Sequence, residues 1–234
     1  MSDYIPTQRK NRNKLPKKVI PLKNKDKSDH EKWYPGRDLI DFPSPFCMYI
    51  CGPRNSGKST LIKNILARKL YDEGYLYHFD GSNTQEYDDA DLTILEDIPS
   101  NADIPIEGKK VFIMEDVPYT SLSPDQKTDL WGLLKYACSH KNMDIIITGH
   151  DFSTSVPPNI RRLFNVFILY KIPDINSLSV IGNKVGLKNN DMHELFQLCS
   201  NAHDNVTIDM TQDTPAPLRF NIYKKIALDD DNFS

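Results

Sequence analysis

Short apolar runs, each bounded by polar residues, recur along the chain and predict buried strands. Each run is four to six residues long and rich in β-branched and aromatic side chains, a composition that favours a strand over a helix. The predicted strands cover residues 46–51, 75–79, 92–95, 111–114, 144–148 and 166–170, and residues 206–210 and 218–223 predict a closing hairpin.

Apolar side chains at helical spacing predict helices between several of these strands. One helix start is well marked, because Ser123 suits the N-cap, Pro124 suits the first helical position, and Gln126 completes a capping box. Helices are predicted over residues 58–71, from 123 to about 140, near 159–164, and over 189–200. Strands that alternate with helices predict an α/β domain whose central, mainly parallel sheet is covered by helices on both faces.

Charge is distributed very unevenly, although the formal net charge is only −3. Residues 1–30 carry nine basic and three acidic side chains, whereas the remaining residues carry 20 and 29. Such a basic segment is typically disordered and attracted to phosphate backbones, although its role could also be that of a solubilising tail. We therefore expect a flexible basic arm over residues 1–40, a folded domain over 41–226, and a short acidic tail over 227–234.

The sequence pattern argues against membrane-spanning and secreted proteins. The apolar runs are far shorter than the roughly 20 residues that a transmembrane helix needs, and the basic N-terminus lacks the apolar core of a secretory signal. We expect an intracellular protein in a reducing compartment, with no membrane span. Cys138 with His140 is weak evidence for zinc, and disulfide-scaffold spacing is absent from all four cysteines: Cys47, Cys51, Cys138 and Cys199.

Residues 52–59 read Gly-Pro-Arg-Asn-Ser-Gly-Lys-Ser and match the phosphate-binding pattern G-x-x-x-x-G-K-[ST] at every position. A loop between a strand and a helix points its backbone N–H groups inward, and the helix adds the positive end of its dipole. In this pattern Lys58 reaches the β- and γ-phosphates of ATP, and the Ser59 hydroxyl ligates magnesium. The predicted ATP-binding residues are Gly52, Pro53, Arg54, Asn55, Ser56, Gly57, Lys58, Ser59 and Thr60.

The predicted strand at residues 111–114 is followed by two carboxylates, Glu115 and Asp116. P-loop enzymes need one acid at such a strand end to hold magnesium, and a second acid can polarise the attacking water. Taken alone, the pair would be an ordinary solvated strand end. Beside a P-loop, it predicts an ASCE/RecA-like P-loop NTPase rather than a small-molecule kinase, which does not require the second carboxylate.

Polar residues near two later strands are candidates for sensing and compensating phosphate charge. Thr148 and His150 stand at the end of the strand after the acidic one, where P-loop ATPases often sense the γ-phosphate. The alternative for His150 is a surface loop histidine. Arg161 and Arg162 precede the strand at 166–170 and could form an arginine finger that enters a neighbouring subunit's site, or an ordinary basic surface.

Together these motifs resemble the viral genome-packaging ATPases of the poxvirus type, within the FtsK–HerA division of P-loop motors. The similarity spans residues 46–170, a little over half of the chain. The Walker motifs are shared by many ATPases, whereas the stretch 139–161 is more specific. The matching features are residues 52–59, residues 112–116, Ser139 with His140, Val156 with Pro157, and residues 159–161.

The resemblance implies an ATP-driven pump that moves double-stranded DNA into a preformed capsid. Such a pump would be a pentameric or hexameric ring of identical subunits that meets a capsid vertex or capsid protein. It would work in the host cytoplasm, within a viral factory, or in the virion. Carried over by position, Lys58 and Ser59 bind phosphate and magnesium, Glu115 supports magnesium, and Asp116 activates water.

The chain departs from the family pattern in two places. Relatives commonly place Asp before Glu in the acidic pair, whereas here Glu115 precedes Asp116. The shorter carboxylate must then approach the water differently. Relatives also tend to carry Gln at the sensor position, where Thr148 or His150 stands here. This leaves the sensor open and makes a pH-sensitive sensor conceivable.

The resemblance also bears on contacts with neighbouring subunits and with DNA. By position, Arg161 is the first candidate for the trans-acting finger and Arg162 the second. Loops that follow the strands should line the pore of a ring, and residues 80–108 or 171–188 could supply them. The sequence does not decide between these two stretches. Motor contacts with DNA should be directed at phosphates and tolerate any sequence.

Other functions stay open beside the packaging motor. A different ring-forming DNA-dependent ATPase, such as a helicase loader or a plasmid-transfer motor, would carry the same Walker motifs. A small-molecule kinase and a non-catalytic nucleotide-binding scaffold are further alternatives. GTPases read guanine with Asn-Lys-x-Asp, and residues 183–186 fail that pattern at its last position.

Overall fold

The computed structural model describes residues 42–68, 71–78, 87–88, 90–171, 175–211, 217–222 and 224–226. The predicted basic arm and acidic tail lie outside the described residues. Within the described part of the chain, nine strands form one sheet. They are β1 (Cys47–Cys51), β2 (Glu73–His78), β3 (Thr93–Leu95), β4 (Lys110–Glu115), β5 (Met143–Gly149), β6 (Val166–Tyr170), β7 (Asn205–Asp209), β8 (Leu218–Phe220) and β9 (Lys224–Lys225).

The strands lie in the order β3-β2-β4-β5-β1-β6-β7-β8-β9. From β3 to β6 neighbouring strands pair in parallel, and β7, β8 and β9 then join in antiparallel fashion. The prediction of a mainly parallel sheet is therefore confirmed, and the predicted closing hairpin corresponds to β7 and β8. Because β5 lies between β1 and β4, the strand before the P-loop is not paired with the strand that ends in the acidic pair.

Parallel pairing brings the carboxyl ends of β1, β5 and β4 to one edge of the sheet. Cys51 pairs with Gly149, and Met114 pairs with Ile147. The P-loop, the predicted sensor and the acidic pair therefore follow three neighbouring strands. Ligands of open α/β sheets bind in the crevice outside the carboxyl ends of the strands, so this edge is where the candidate site lies.

Helices connect several of these strands along the chain and pack on the faces of the sheet. The predicted capping box is present, since the Ser123 side chain accepts from the Gln126 backbone N–H and the Gln126 side chain accepts from that of Ser123. No helix of the described ranges combines the length and apolarity that a membrane span requires. The helices are α1 (Lys58–Arg68), α2 (Pro124–Gly132), α3 (Cys138–His140), α4 (Pro158–Arg161), α5 (Ile175–Val185) and α6 (Asn189–Gln197), and a π-helical segment (Leu133–Ala137) joins α2 to α3.

Residues 171–188, one of the two stretches that could supply a pore loop, are not a loop over most of their length, because α5 covers Ile175–Val185. Leu178 and Ile181 are buried at helical spacing and belong to the core. The stretch also contains Asn, Ser and Gly at several positions, and these residues have low helix propensity. These residues obscured the helical spacing of the few apolar side chains, and tertiary packing stabilises the helix in spite of them.

Two apolar clusters, one on each face of the sheet, form the core. Strand β1 shows why: Met48 and Ile50 belong to the cluster that contains α1, whereas Cys47, Tyr49 and Cys51 belong to the cluster that contains α2, α5 and α6. Successive side chains of a strand point to opposite faces, so a continuously apolar strand must be covered on both. The prediction of helices on both faces is confirmed.

Candidate nucleotide-binding site

The P-loop connects the end of β1 to the start of α1. Asn55 and Gly57 have φ angles of 60° and 102°, a region that glycine and asparagine tolerate best. A Cβ atom at Gly52 would lie 2.6 Å from the Cβ of Tyr170, so only glycine fits there. Of the other predicted ATP-binding residues, Pro53, Arg54 and Asn55 are exposed, Ser56 and Lys58 are buried, and Ser59 and Thr60 are half-buried in the first turn of α1.

Lys58 lies across the P-loop with its ammonium group directed back at the loop. Its Nζ donates to the carbonyl oxygens of Gly52 (3.0 Å) and Pro53 (3.2 Å) and lies 3.7 Å from Oδ1 of Asp116. The side chain is only 7% exposed, so the charge is held among acceptors rather than in water. An incoming phosphate offers this cation a charged partner in place of two neutral carbonyls.

Glu115 and Ser59 meet at the floor of the site. The Ser59 hydroxyl donates to Oε1 of Glu115 at 2.7 Å, and the Tyr87 hydroxyl donates to the same oxygen at 2.8 Å. Magnesium prefers hydroxyl and carboxylate oxygens and retains several waters. The Ser59 and Glu115 oxygens therefore fit the predicted magnesium site, and Tyr87 holds the carboxylate through a second hydrogen bond.

Asp116 stands at the end of β4 with its carboxylate turned out of the sheet. Its φ angle is 48°, a left-handed conformation that aspartate adopts more readily than most residues. The Thr148 hydroxyl accepts from the Asp116 backbone N–H at 2.9 Å and donates to Oδ1 at 3.1 Å. The side chain remains 37% exposed. Thr148 therefore fixes the backbone and the carboxylate together while leaving the carboxylate accessible to water.

His150 links the P-loop to Asp116. Its Nδ1 lies 3.1 Å from the carbonyl oxygen of Gly52, and its Nε2 lies 3.8 Å from Oδ2 of Asp116. A carbonyl oxygen can only accept, so Nδ1 carries the proton in this contact. The structure thus brings both sensor candidates, Thr148 and His150, to the proposed water-activating carboxylate.

Two further side chains support the P-loop from behind, and the sequence analysis did not identify either one. The Tyr170 hydroxyl donates to the carbonyl oxygen of Gly57 at 3.2 Å, and burial raises the pKa of Tyr170. Nδ1 of His203 lies 3.0 Å from the carbonyl oxygen of Ser56. Tyr170 is the last residue of β6 and His203 lies just before β7, both more than a hundred positions away from the loop. No local sequence pattern marks their contact with it.

Arg161, the first candidate for the arginine finger, has its guanidinium bound within its own subunit. Nε donates to the carbonyl oxygen of Val156, and Nη2 donates to that of Ser153. The guanidinium also lies 5.8 Å from the centre of the Phe152 ring. This arrangement favours a structural role, in which Arg161 closes the loop between β5 and α4.

Arg162 has an exposed side chain. Its backbone carbonyl accepts from Nζ of Lys184 at 3.1 Å, which ties the end of α4 to α5. Among the described contacts, neither Arg161 nor Arg162 joins the cluster around Lys58 and Asp116. A role as a finger therefore requires a second subunit, and the exposed side chain of Arg162 is the freer of the two.

The weak zinc alternative gains no support. The described residues contain no group of three or more His, Cys, Asp or Glu side chains arranged to hold a metal ion. Cys138 is buried, whereas His140 is exposed and stacks on Tyr136 at a centroid distance of 6.5 Å.

Comparison with known proteins identifies the fold. No family model matches the chain, and no curated protein sequence matches it significantly. The genome packaging NTPase B204 from Sulfolobus turreted icosahedral virus 2, in complex with AMP, matches with a TM-score of 0.51 and 15% identity, covering 78% of this chain and 98% of that one. B204 of Sulfolobus turreted icosahedral virus, described as a DNA-packaging ATPase, gives 0.51 and 16%, covering 79% and 99%.

A cellular protein is similar to the same degree. EssC (ATPases 2 and 3) from Geobacillus thermodenitrificans matches with a TM-score of 0.51 and 14% identity, covering 80% of this chain and 41% of that one. At such identities the likeness concerns the fold, and it agrees with the P-loop, the strand order and the acidic pair at one sheet edge. The chain therefore has the P-loop NTPase fold that it shares with the packaging NTPase B204.

Proposed function

We propose that this protein is a magnesium-dependent ATPase that moves double-stranded DNA and packages a viral genome into a preformed capsid. The observation that carries the proposal is the convergence of Lys58, the Ser59–Glu115 pair and Asp116 at one sheet edge. The fold likeness to B204, whose structures are described as those of a genome packaging NTPase, supports the choice of cargo. The motor is a member of the FtsK–HerA division and acts as a pentameric or hexameric ring at a capsid vertex, in the host cytoplasm or the virion.

In the proposed reaction, the P-loop holds the phosphates of ATP and Lys58 turns from its two carbonyl acceptors to the β- and γ-phosphate oxygens. Ser59 and Glu115 hold magnesium, which when bound neutralises charge on the phosphates. A water molecule attacks the γ-phosphorus as the bond to the β–γ bridging oxygen breaks, and Asp116 accepts the proton of that water. The accessible, fixed carboxylate of Asp116 is suited to this role.

Thr148 and His150 act as the sensor of the γ-phosphate by setting the position of Asp116. The Thr148 hydroxyl donates to the Asp116 carboxylate, and Nε2 of His150 lies 3.8 Å from it. His150 also contacts the P-loop carbonyl of Gly52. Movement of the P-loop on phosphate binding is thereby passed to the water-activating group. We assign the trans-acting finger to Arg162 rather than Arg161, because the guanidinium of Arg161 is bound to carbonyls of its own subunit.

A different ring-forming motor is the second candidate, because the fold is as similar to EssC as it is to B204. DNA dependence separates the packaging motor from a ring-forming motor whose cargo is not DNA, whereas a helicase loader or a plasmid-transfer motor would depend on DNA as well. A packaging motor should hydrolyse ATP faster in the presence of long double-stranded DNA of any sequence. A motor for another cargo should ignore DNA.

The proposed chemistry is tested by phosphate release from the full chain and from Lys58→Ala and Asp116→Asn variants. Lys58→Ala should lose both nucleotide binding and turnover. Asp116→Asn should still bind ATP, but turnover should fall by about 10²- to 10⁴-fold, the usual contribution of a general base. Asp125→Asn, at an exposed carboxylate in the first turn of α2, is the matched control. Undiminished turnover by Asp116→Asn would exclude Asp116 as the base.

A further inference from the structure

A cavity of about 230 Å³ lies beside Asp116, on the sheet face that α2 covers. Its walls are mainly apolar and belong to the core cluster of that face. None of residues 52–60 is among its lining residues, whereas Asp116 and His150 line it, so the cavity adjoins the candidate nucleotide site on the side away from the P-loop. The principal wall residues are Tyr49, Met114, Leu130, Ile147, Ile160 and Phe164.

The rim of the cavity is polar and contains two carboxylates, Asp116 and Asp151, which differ in their hydrogen-bond partners. The carboxylate of Asp151 accepts from the side chains and backbone N–H groups of Thr154 and Ser155. It is therefore committed to its own loop. Asp116 is 37% exposed and accepts one hydrogen bond from the Thr148 hydroxyl, and Nζ of Lys58 and Nε2 of His150 lie 3.7 Å and 3.8 Å from its oxygens. An ionised carboxylate offers about four acceptor positions, so its exposed side can take a further donor. Asp116 is thus the rim carboxylate that can receive a cation.

The size and walls of the cavity define the body of a ligand. An apolar cavity of about 150 Å³ is large enough to hold benzene and stays dry when empty; this cavity is larger. The rings of Tyr49 and Phe164 lie 5.3 Å apart at an interplanar angle of 63°. At this distance the two rings pack edge to face on each other and contribute aromatic surface to the wall, against which a further ring can pack.

We propose that this cavity binds small aromatic cations, with the ring between the apolar walls and the ammonium group at Asp116, and that occupancy slows ATP hydrolysis without displacing ATP. The proposed binding depends only on the cavity and on the charge of Asp116, and not on ATP hydrolysis. The inhibition rests on the proposed function, because it requires that Asp116 activates water.

Binding is tested on the full chain by methyl NMR with benzylamine, and with benzyl alcohol as the neutral ligand of equal size. Benzylamine should shift the methyl resonances of Ile147 and Ile160 but not those of the exposed Ile94 and Ile175. It should bind about fivefold more tightly than the alcohol, as an ion pair at a partly exposed carboxylate allows. Asp116→Asn should remove that preference.

Filling the cavity supplies an independent test. Val156 lines it, so Val156→Phe should abolish the shifts, whereas Leu198→Phe, at an exposed position outside it, should leave them intact. Absence of shifts at Ile147 and Ile160, equal affinity for the amine and the alcohol, or unchanged binding by Val156→Phe would each overturn the site.

Turnover decides the second part of the proposal. Benzylamine should lower kcat and leave KM for ATP unchanged, because the amine occupies Asp116 and not the P-loop. Binding without inhibition at saturating amine would overturn the link to Asp116. If the untreated protein hydrolyses no ATP at all, the proposed function has failed, and the NMR titration still decides the binding site.

Discussion

At the level of single residues, Oε1 of Glu115 accepts two hydrogen bonds, one from the Ser59 hydroxyl at 2.7 Å and one from the Tyr87 hydroxyl at 2.8 Å. The Ser59 oxygen keeps its lone pairs for a metal while its proton points at the carboxylate. Tyr87 holds the carboxylate through a separate bond that need not change when magnesium binds. Glu115 is therefore positioned before the metal arrives.

Replacing Tyr87 with Phe should raise the magnesium concentration for half-maximal ATPase activity about three- to tenfold, since a hydrogen bond to a charged group is lost. The kcat at saturating magnesium should change little. Tyr77→Phe is the control, because the Tyr77 hydroxyl bonds Gln126 and not Glu115. An unchanged magnesium requirement in Tyr87→Phe would mean that Ser59 and the strand position Glu115 unaided.

His150 should act on kcat rather than on ATP binding, because it joins Gly52 to Asp116 and contacts no P-loop N–H in the described structure. His150→Ala should lower kcat about tenfold with KM unchanged. His150→Gln should recover most of the loss, since the Gln amide can donate to the Gly52 carbonyl. Steady-state kinetics of the two variants decide the matter: equal defects would contradict a role through that hydrogen bond.

At the scale of the element, contiguous motifs explain which parts of the site could be predicted. The P-loop and the acidic pair each lie within one strand–loop junction, so local sequence suffices to find them. Tyr87, Tyr170 and His203 reach the site only because the strand order brings distant segments together. The π-helical segment Leu133–Ala137, which interrupts the helix predicted from 123 to about 140, likewise has no signal in the local sequence.

The loop between β5 and α4 gives a prediction that separates the two arginines. Arg161→Ala should lower the free energy of unfolding by about 2 kcal/mol, because two backbone carbonyls lose a charged donor. Arg162→Ala should leave stability unchanged, as its side chain is exposed, but should reduce ATPase activity in the assembled state. Urea unfolding and ATP turnover should be measured on both variants. A loss of stability in Arg162→Ala alone, or a loss of activity in Arg161→Ala alone, would contradict this division of roles.

For the molecule as a whole, a basic N-terminal segment and an acidic remainder suit a motor that must bind DNA without being held in place by it. Residues 1–30 carry nine bases and three acids, and the rest of the chain carries an excess of acids. A polyanion such as DNA is attracted by the arm and repelled on average by the body. We expect the arm to supply affinity and the ring to supply movement.

Deleting residues 1–30 should weaken binding of double-stranded DNA and flatten its dependence on salt, because each phosphate contact contributes about 0.9 to the slope of log K against log[salt]. A chain of full length with the nine basic residues of the arm replaced by Gln is the matched control for charge. Fluorescence anisotropy at several salt concentrations measures both. Equal affinity and slope for the truncated and intact chains would remove the arm from DNA binding.

The decisive measurement for a DNA-translocating ring is the steady-state ATPase rate per subunit against protein concentration, with and without long double-stranded DNA. Lys58→Ala serves as the blank. We expect a rate that rises with concentration, as subunits assemble and complete one another's sites, and rises again when DNA is added. A rate indifferent to both would contradict a DNA-translocating ring and would leave a monomeric P-loop enzyme or a scaffold.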